Sequence, residues 1–216
     1  MRFSDPLHAP EQSIACERRD YPEWHRGRTR YGVWTLPVDC PRILARLERA
    51  RAHLGAWLHG DYRRQAHITL FVCGFPAEAA RFDDDFPGER LAAQIDALSA
   101  LRAGRFELQI GNLDSYASAP FLTVSDPDQR LEALRSALGQ HSAEIRQAPY
   151  HPHLTVGLYA RAVPRQALQQ RLGGFADAEP LALPIHELHY SSYAASELAG
   201  PLRVEQRLAL RPSPTP

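Results

Sequence analysis

The stretches Ala66–Phe75, AHITLFVCGF, and Tyr150–Tyr159, YHPHLTVGLY, share one pattern. Each carries His-apolar-Thr inside an apolar, β-branched run: His67-Ile68-Thr69 in the first, His153-Leu154-Thr155 in the second. Ten histidines and 6 threonines predict about 0.3 such triplets by chance. One match would carry no weight. Two in matching positions do. In an extended strand, residues i and i+2 point to one face. His67 and Thr69 therefore project together, as do His153 and Thr155, while Ile68 and Leu154 turn into packing.

The same element order surrounds each motif. RYGVWTLPV from Arg30 reads as a strand, and Pro41 suits the first turn of a helix. Ile43, Leu47, Ala50, Leu54 and Trp57 fall on one face of that helix, with Gly60-Asp61 at its end. The motif strand follows. Next come a loop with Asp83-Asp84-Asp85, a helix with the stripe Leu91, Ile95, Leu98, Leu101, and the strand RFELQIGNL. The order then restarts. FLTVSD is a strand, and Leu131, Leu134 and Leu138 mark a helix. HPHLTVGLYA is the second motif strand, and Pro164–Leu172 a short helix. LALPIHELHY and LRVEQRLAL close the chain as strands. His153 follows His67 by 86 residues, so the register is nearly kept between the halves.

The fold class expected is α+β. It is a bilobal, duplicated strand-helix-strand-helix-strand unit, with two antiparallel sheets facing a central cleft and helices outside. Residues 1–29 are expected to form an arm, 30–210 a single bilobal domain, and 211–216 a flexible tail. The lobes are placed at about 30–115 and 116–210, with exchange of strands between them left open.

Two imidazoles and two hydroxyls in one cleft suit phosphodiester chemistry. A neutral histidine takes a proton from the attacking oxygen, and an imidazolium protonates the leaving one. Threonine hydroxyls donate to the non-bridging oxygens, where charge develops. HITLFVCGF and HPHLTVGLY, each in the middle of one half, resemble the signatures of the two-histidine (2H) phosphoesterase superfamily. Its members include the bacterial RNA 2′-5′ ligase and cyclic nucleotide phosphodiesterases. The resemblance covers about Arg30 to Leu210 in element order and is tightest at the two motifs. It implies metal-independent chemistry on 2′,3′-cyclic phosphates, 2′-5′ linkages or RNA ends. His67 and His153 would be catalytic, with Thr69 and Thr155 binding phosphate. Many members carry a basic residue shortly after the second motif. Here Leu158 and Tyr159 stand there, and Arg161 lies further on.

Further candidates surround the motifs. Arg63 and Arg64 precede the first motif and suit a grip on a second phosphate or the substrate's 3′ side, or else a solvated loop. Tyr150 suits stacking, and His151 shares a face with His153. Tyr116 and Phe121 flank the mid-chain loop, and Ser191 lies in Tyr190-Ser191-Ser192-Tyr193. Trp24-His25-Arg26-Gly27-Arg28 is either a stacking and phosphate clamp or a tether for the arm. Asp83-Asp84-Asp85 reads as an exposed acidic loop.

Composition bounds the remaining choices. Hydrophobic residues make up 44% and charged residues 23% of 216, an ordinary globular balance with room for a core. All 25 basic residues are arginine and are matched by 25 acidic ones, so the chain does not read as one that coats a polyanion. The partner expected is an RNA terminus or small nucleotide, with no membrane and no DNA; the oligomeric state is open. Cys16, Cys40 and Cys73 form no CxxC, and MRFSDPLHAPEQ lacks a signal-peptide core, so a reducing cytoplasm is expected. No cofactor is expected. A hydrolase using His151 and His153 as metal ligands, and a catalytically silent nucleotide-binding module of the same fold, are the alternatives.

Overall fold

The structure is a computed structural model that describes residues 2–5, 7–145, 148–177 and 179–212. After a short helix α1 (Pro22–His25) come β1 (Arg30–Pro37), α2 (Pro41–Leu54) and β2 (His67–Ala77). Then follow β3 (Asp85–Pro87), α3 (Gly88–Ala100), β4 (Phe106–Ser115) and β5 (Pro120–Ser125). The chain ends with α4 (Arg130–Gly139), β6 (His153–Thr155), α5 (Arg165–Gly173), β7 (Leu181–Ile185), β8 (Glu187–Ala194) and β9 (Arg203–Ala209). Among the described residues no helix is long and apolar enough to cross a membrane.

The two expected antiparallel sheets are the halves of one curled sheet, ordered β7-β4-β5-β6-β2-β1-β8-β9. The halves meet where β6 pairs β2, and the motif strands form that seam. Moving outward, β2 is followed by β1, and β6 by β5. The next strands cross over in sequence: β8 hydrogen-bonds β1, whereas β4 hydrogen-bonds β5 and β7.

The seam is narrow because β6 has three residues and β2 has eleven. Beyond Ile68, side chains from the α4 region and its following loop satisfy the edge of β2. Arg135 donates to the Leu70 carbonyl, the Glu144 carboxylate accepts from Val72 N–H at 3.0 Å, and Tyr150 Oη donates to the Thr69 carbonyl at 3.1 Å. The longer strand HPHLTVGLYA expected from sequence is therefore cut short after Thr155. Val156 N–H goes instead to the Pro120 carbonyl.

Helix faces follow the apolar periodicity. Ile43, Leu47, Ala50 and Leu54 of α2, Leu98 of α3, and Leu131, Leu134 and Leu138 of α4 are all in the main core. The α2 helix stops at Leu54 and tightens to a 3-10 turn over Gly55–Trp57, short of Gly60-Asp61. Leu101 caps α3 and is 42% exposed, so it lies off the buried stripe. Trp34 Nε1 donates to Gln94 Oε1 at 2.8 Å, and Gln94 Nε2 reaches the Leu138 carbonyl, which ties β1, α3 and α4 together inside the core.

LALPIHELHY is not one strand. It breaks at His186, and β7 and β8 run in opposite halves of the sheet. Pro184 sits within β7, paired with Glu107. It has no N–H to donate, and β7 is an edge strand. The acidic loop also differs from expectation. Asp85 is buried, and Arg28 pairs with both Asp84 and Asp85. Arg28 also lies over the Phe75 ring at 3.6 Å, and Trp24 stacks against Tyr31 and Phe75. The Trp24–Arg28 segment is thus the tether of the arm. Arg211 is held as well: its N–H donates to the Ala103 carbonyl and its carbonyl accepts from Arg105. Of the tail expected over 211–216, residues 213–216 lie outside the described residues.

Gly74 makes the Asp84 approach possible. Its φ is +110°, and a Cβ there would sit 2.3 Å from the Asp84 carbonyl oxygen, which accepts from Phe75 N–H. Gly74→Ala is expected to lower stability by about 1–3 kcal/mol through positive-φ strain and displacement of this turn. A urea titration checks it; an unchanged midpoint would refute the close approach.

Candidate active site

The pairing Ile68↔Leu154 sets the geometry. Both residues are fully buried, so the flanking positions point to the opposite, open face. Extending that antiparallel register by one residue each way sets His67 opposite Thr155 and Thr69 opposite His153. All four side chains share one face and are half-buried. Directly opposed pairs have Cβ atoms about 4.5–5.5 Å apart, and diagonal pairs about 7–8 Å. The two imidazoles are a diagonal pair, which leaves room between them for one phosphate.

Each histidine is held by the same local device. His67 Nδ1 donates to the Gln65 carbonyl at 2.7 Å, and His153 Nδ1 donates to the His151 carbonyl at 2.8 Å. A carbonyl only accepts, so the proton of the neutral ring is on Nδ1 and Nε2 carries the lone pair. Burial pushes the His67 imidazole down to about 4, with the charges of Arg64 and His153 acting in the same direction. At neutral pH the His67 imidazole is therefore unprotonated. The rings of Tyr116 and Phe121 lie 5.2 and 5.3 Å from that of His153, and 4.4 Å from each other.

The other sequence candidates take varied places. Arg64 stacks on Tyr193 at 3.9 Å and donates to the carbonyls of Leu198 and Gly200. Arg63 is exposed and pairs with Glu197. Tyr150 sits under the Arg135 guanidinium at 3.7 Å, a fixed position beside the seam. His151 is exposed, and its contribution is the backbone carbonyl that holds His153. Ser191 is buried, with its Oγ 3.3 Å from Thr35 Oγ1. Among the described residues no cluster of three or more His, Cys, Asp or Glu side chains is arranged to hold a metal ion.

Sequence reasoning missed Thr35, which stands beside Thr69 in the β1–β2 register. It also missed a polar group further along this face. His189 Nε2 meets Glu187 Oε1 at 2.5 Å, and Arg207 reaches both. The alternation Glu187, His189, Ser191 was a visible signal that these side chains share a face.

A curled antiparallel sheet whose seam carries two His-apolar-Thr strands defines a 2H phosphoesterase. The chain belongs to the 2′-5′ RNA ligase superfamily, whose family model matches residues 40–197. No curated protein matches the sequence. Solved structures share the fold. LigT of E. coli, complexed with 3′-AMP, is 18% identical with a TM-score of 0.55, covering 84% of this chain and 98% of that one. TT0787 of Thermus thermophilus is 14% identical with a TM-score of 0.54 over 84% of this chain and 98% of its own. Usb1 of Kluyveromyces marxianus is 16% identical with a TM-score of 0.51, covering 83% and 98%.

Proposed function

We propose that this chain is a metal-independent phosphodiesterase for 2′,3′-cyclic phosphates or 2′-5′ linkages, at RNA ends or in small nucleotides. The observation that carries this reading is the Ile68↔Leu154 register, which sets two histidines diagonally across a seam with a threonine opposite each. His67 Nε2 takes the proton of the attacking water, and water oxygen bonds to phosphorus. The phosphorus bond to the leaving ribose oxygen breaks, and His153 Nε2–H protonates that oxygen. The hydroxyls of Thr69 and Thr155 donate to the non-bridging oxygens. Ligation is the same path reversed, with the two histidines exchanging roles. The 3′-AMP held by the LigT relative of the same fold supports a nucleotide ligand.

Two measurements test this. Protein stripped with EDTA is expected to keep full turnover of 2′,3′-cyclic nucleotides. A loss restored by zinc would reject the mechanism. The acid limb of kcat/KM should fall near pH 4, where His67 becomes protonated and ceases to be a base, rather than near the ordinary 6.5. A limb at 6.5 would reassign the base.

A further inference from the structure

The segment Ile14–Tyr21 lies outside the residues matched by the family model. It is fixed as a strap across one end of the cleft. Ile14 N–H donates to the Ala117 carbonyl at 2.7 Å, and Cys16 N–H to the Tyr159 carbonyl at 2.8 Å. His59 Nε2 donates to the Cys16 carbonyl at 2.8 Å, and Arg18 pairs with Asp61. These anchors come from both halves of the chain: Ala117 and Tyr159 flank β5 and β6, and His59 and Asp61 precede β2.

The strap walls a cleft of about 660 Å³, within the range of small-molecule sites. Its lining joins guanidinium and aromatic planes to three carboxylates, Glu17, Asp20 and Glu197, of which Glu17 pairs with Arg19 and Glu197 with Arg63. Two guanidinium–aromatic stacks face it, Arg64 over Tyr193 at 3.9 Å and Arg19 over Tyr21 at 3.8 Å. Such planes are surfaces on which bases stack. Ile14 offers an apolar side chain that is 60% exposed. The Arg64 bonds go to carbonyl oxygens, and among the described residues no carboxylate pairs with it. Its charge is therefore available to a phosphate. Neither histidine lines this cleft, but two of its lining residues lead to them. Arg64 is close enough to His67 to act on its protonation, and Ser118 of the lining lies in the turn between Tyr116 and Phe121, whose rings flank His153.

We infer that the strapped cleft is a subsite for a single nucleoside, the one esterified on the Arg64 side of the scissile phosphate. A strand continuing past that nucleoside would meet residues 14–21, so the chain takes terminal linkages and short nucleotides rather than internal ones. The inference rests on the phosphodiesterase reading for its place in catalysis, and the test separates the two.

The probe is adenosine 5′-monophosphate, with binding followed by calorimetry. Ser196 and Ile14 are exposed residues of the lining, so Ser196→Trp and Ile14→Asp alter the cleft without disturbing the core. Each variant is expected to weaken binding about tenfold or more, Ser196→Trp by filling the cleft and Ile14→Asp by setting a carboxylate in place of an apolar wall. With a 2′-5′ dinucleotide the loss should fall on KM rather than kcat. Equal binding by the variants and the unaltered protein would overturn the subsite, as would no saturable binding by the unaltered protein. If no phosphodiester is turned over but the variants still lose nucleotide binding, the catalytic reading falls and the subsite stands.

Discussion

Replacing His67 with alanine is expected to lower kcat on 2′,3′-cyclic nucleotides by about 10²–10⁴-fold, and His153→Ala by a similar factor. The side chains point away from the core, so the fold should persist in both variants; far-UV circular dichroism checks that. The two losses should nevertheless differ in kind. A 4-nitrophenyl phosphodiester has a leaving group that departs without a proton. His153→Ala, which removes the acid, should therefore recover most of its rate on that substrate. His67→Ala, which removes the base, should not. The assignment follows from the depressed His67 imidazole, held near 4 by burial, by Arg64 and by the charge of His153. Recovery by His67→Ala instead would reverse the two roles. Near wild-type turnover by either variant would end the two-histidine mechanism.

The motif strands were readable because strand geometry converts spacing into direction. His-apolar-Thr requires the first and third side chains to share a face, whatever the rest of the fold does. The α2, α3 and α4 helices were readable from leucine spacing for the same kind of reason. What the sequence concealed depends on distant partners. LALPIHELHY alternates as one strand would, and its division at His186 reflects the two halves competing for it across the sheet. Nothing local says that Arg135 and Glu144 will finish the edge of β2. Asp84 and Asp85 looked solvated because their counter-charge, Arg28, is 56 and 57 residues away. Ser191 shares a face with His189, but its hydroxyl is buried against Thr35, a partner 156 residues away that its own stretch does not reveal. The strap was unreadable for a related reason: two of its anchors are backbone hydrogen bonds, which leave little mark in side-chain pattern, and His59 and Asp61 lie 43 residues away from the residues they hold.

Arg46 was legible in principle, and it carries the largest stability effect expected. It lies on the α2 face defined by Ile43, Leu47 and Ala50, and a lone arginine in such a stripe implies a buried partner. It is 1% exposed. Its guanidinium donates to the Ile110 carbonyl at 3.1 Å, to Asp177 Oδ1 at 2.7 Å and to the Glu179 carbonyl at 2.6 Å. Arg49, and Arg46 with it, holds the Asp177 carboxyl below its ordinary range. That stabilisation is complete above the usual carboxylate pKa and is lost as pH falls through the lowered value. Ile110 belongs to β4, which pairs β5, and β5 pairs the strand bearing His153. Arg46 thus fastens a helix from the first part of the chain to the half of the sheet that carries the second histidine. Arg46→Ala strips the Ile110 and Glu179 carbonyls of their donor and opens a cavity, while Asp177 keeps Arg49, for an expected loss of about 3–5 kcal/mol. Arg46→Met keeps most of the volume and leaves the two carbonyls without their donor, for about 1–3 kcal/mol. Urea unfolding of the pair separates charge and hydrogen bonding from packing. Equal losses would assign the whole effect to the polar contacts, and a loss under about 1 kcal/mol in Arg46→Ala would show that the guanidinium does not hold the two layers together.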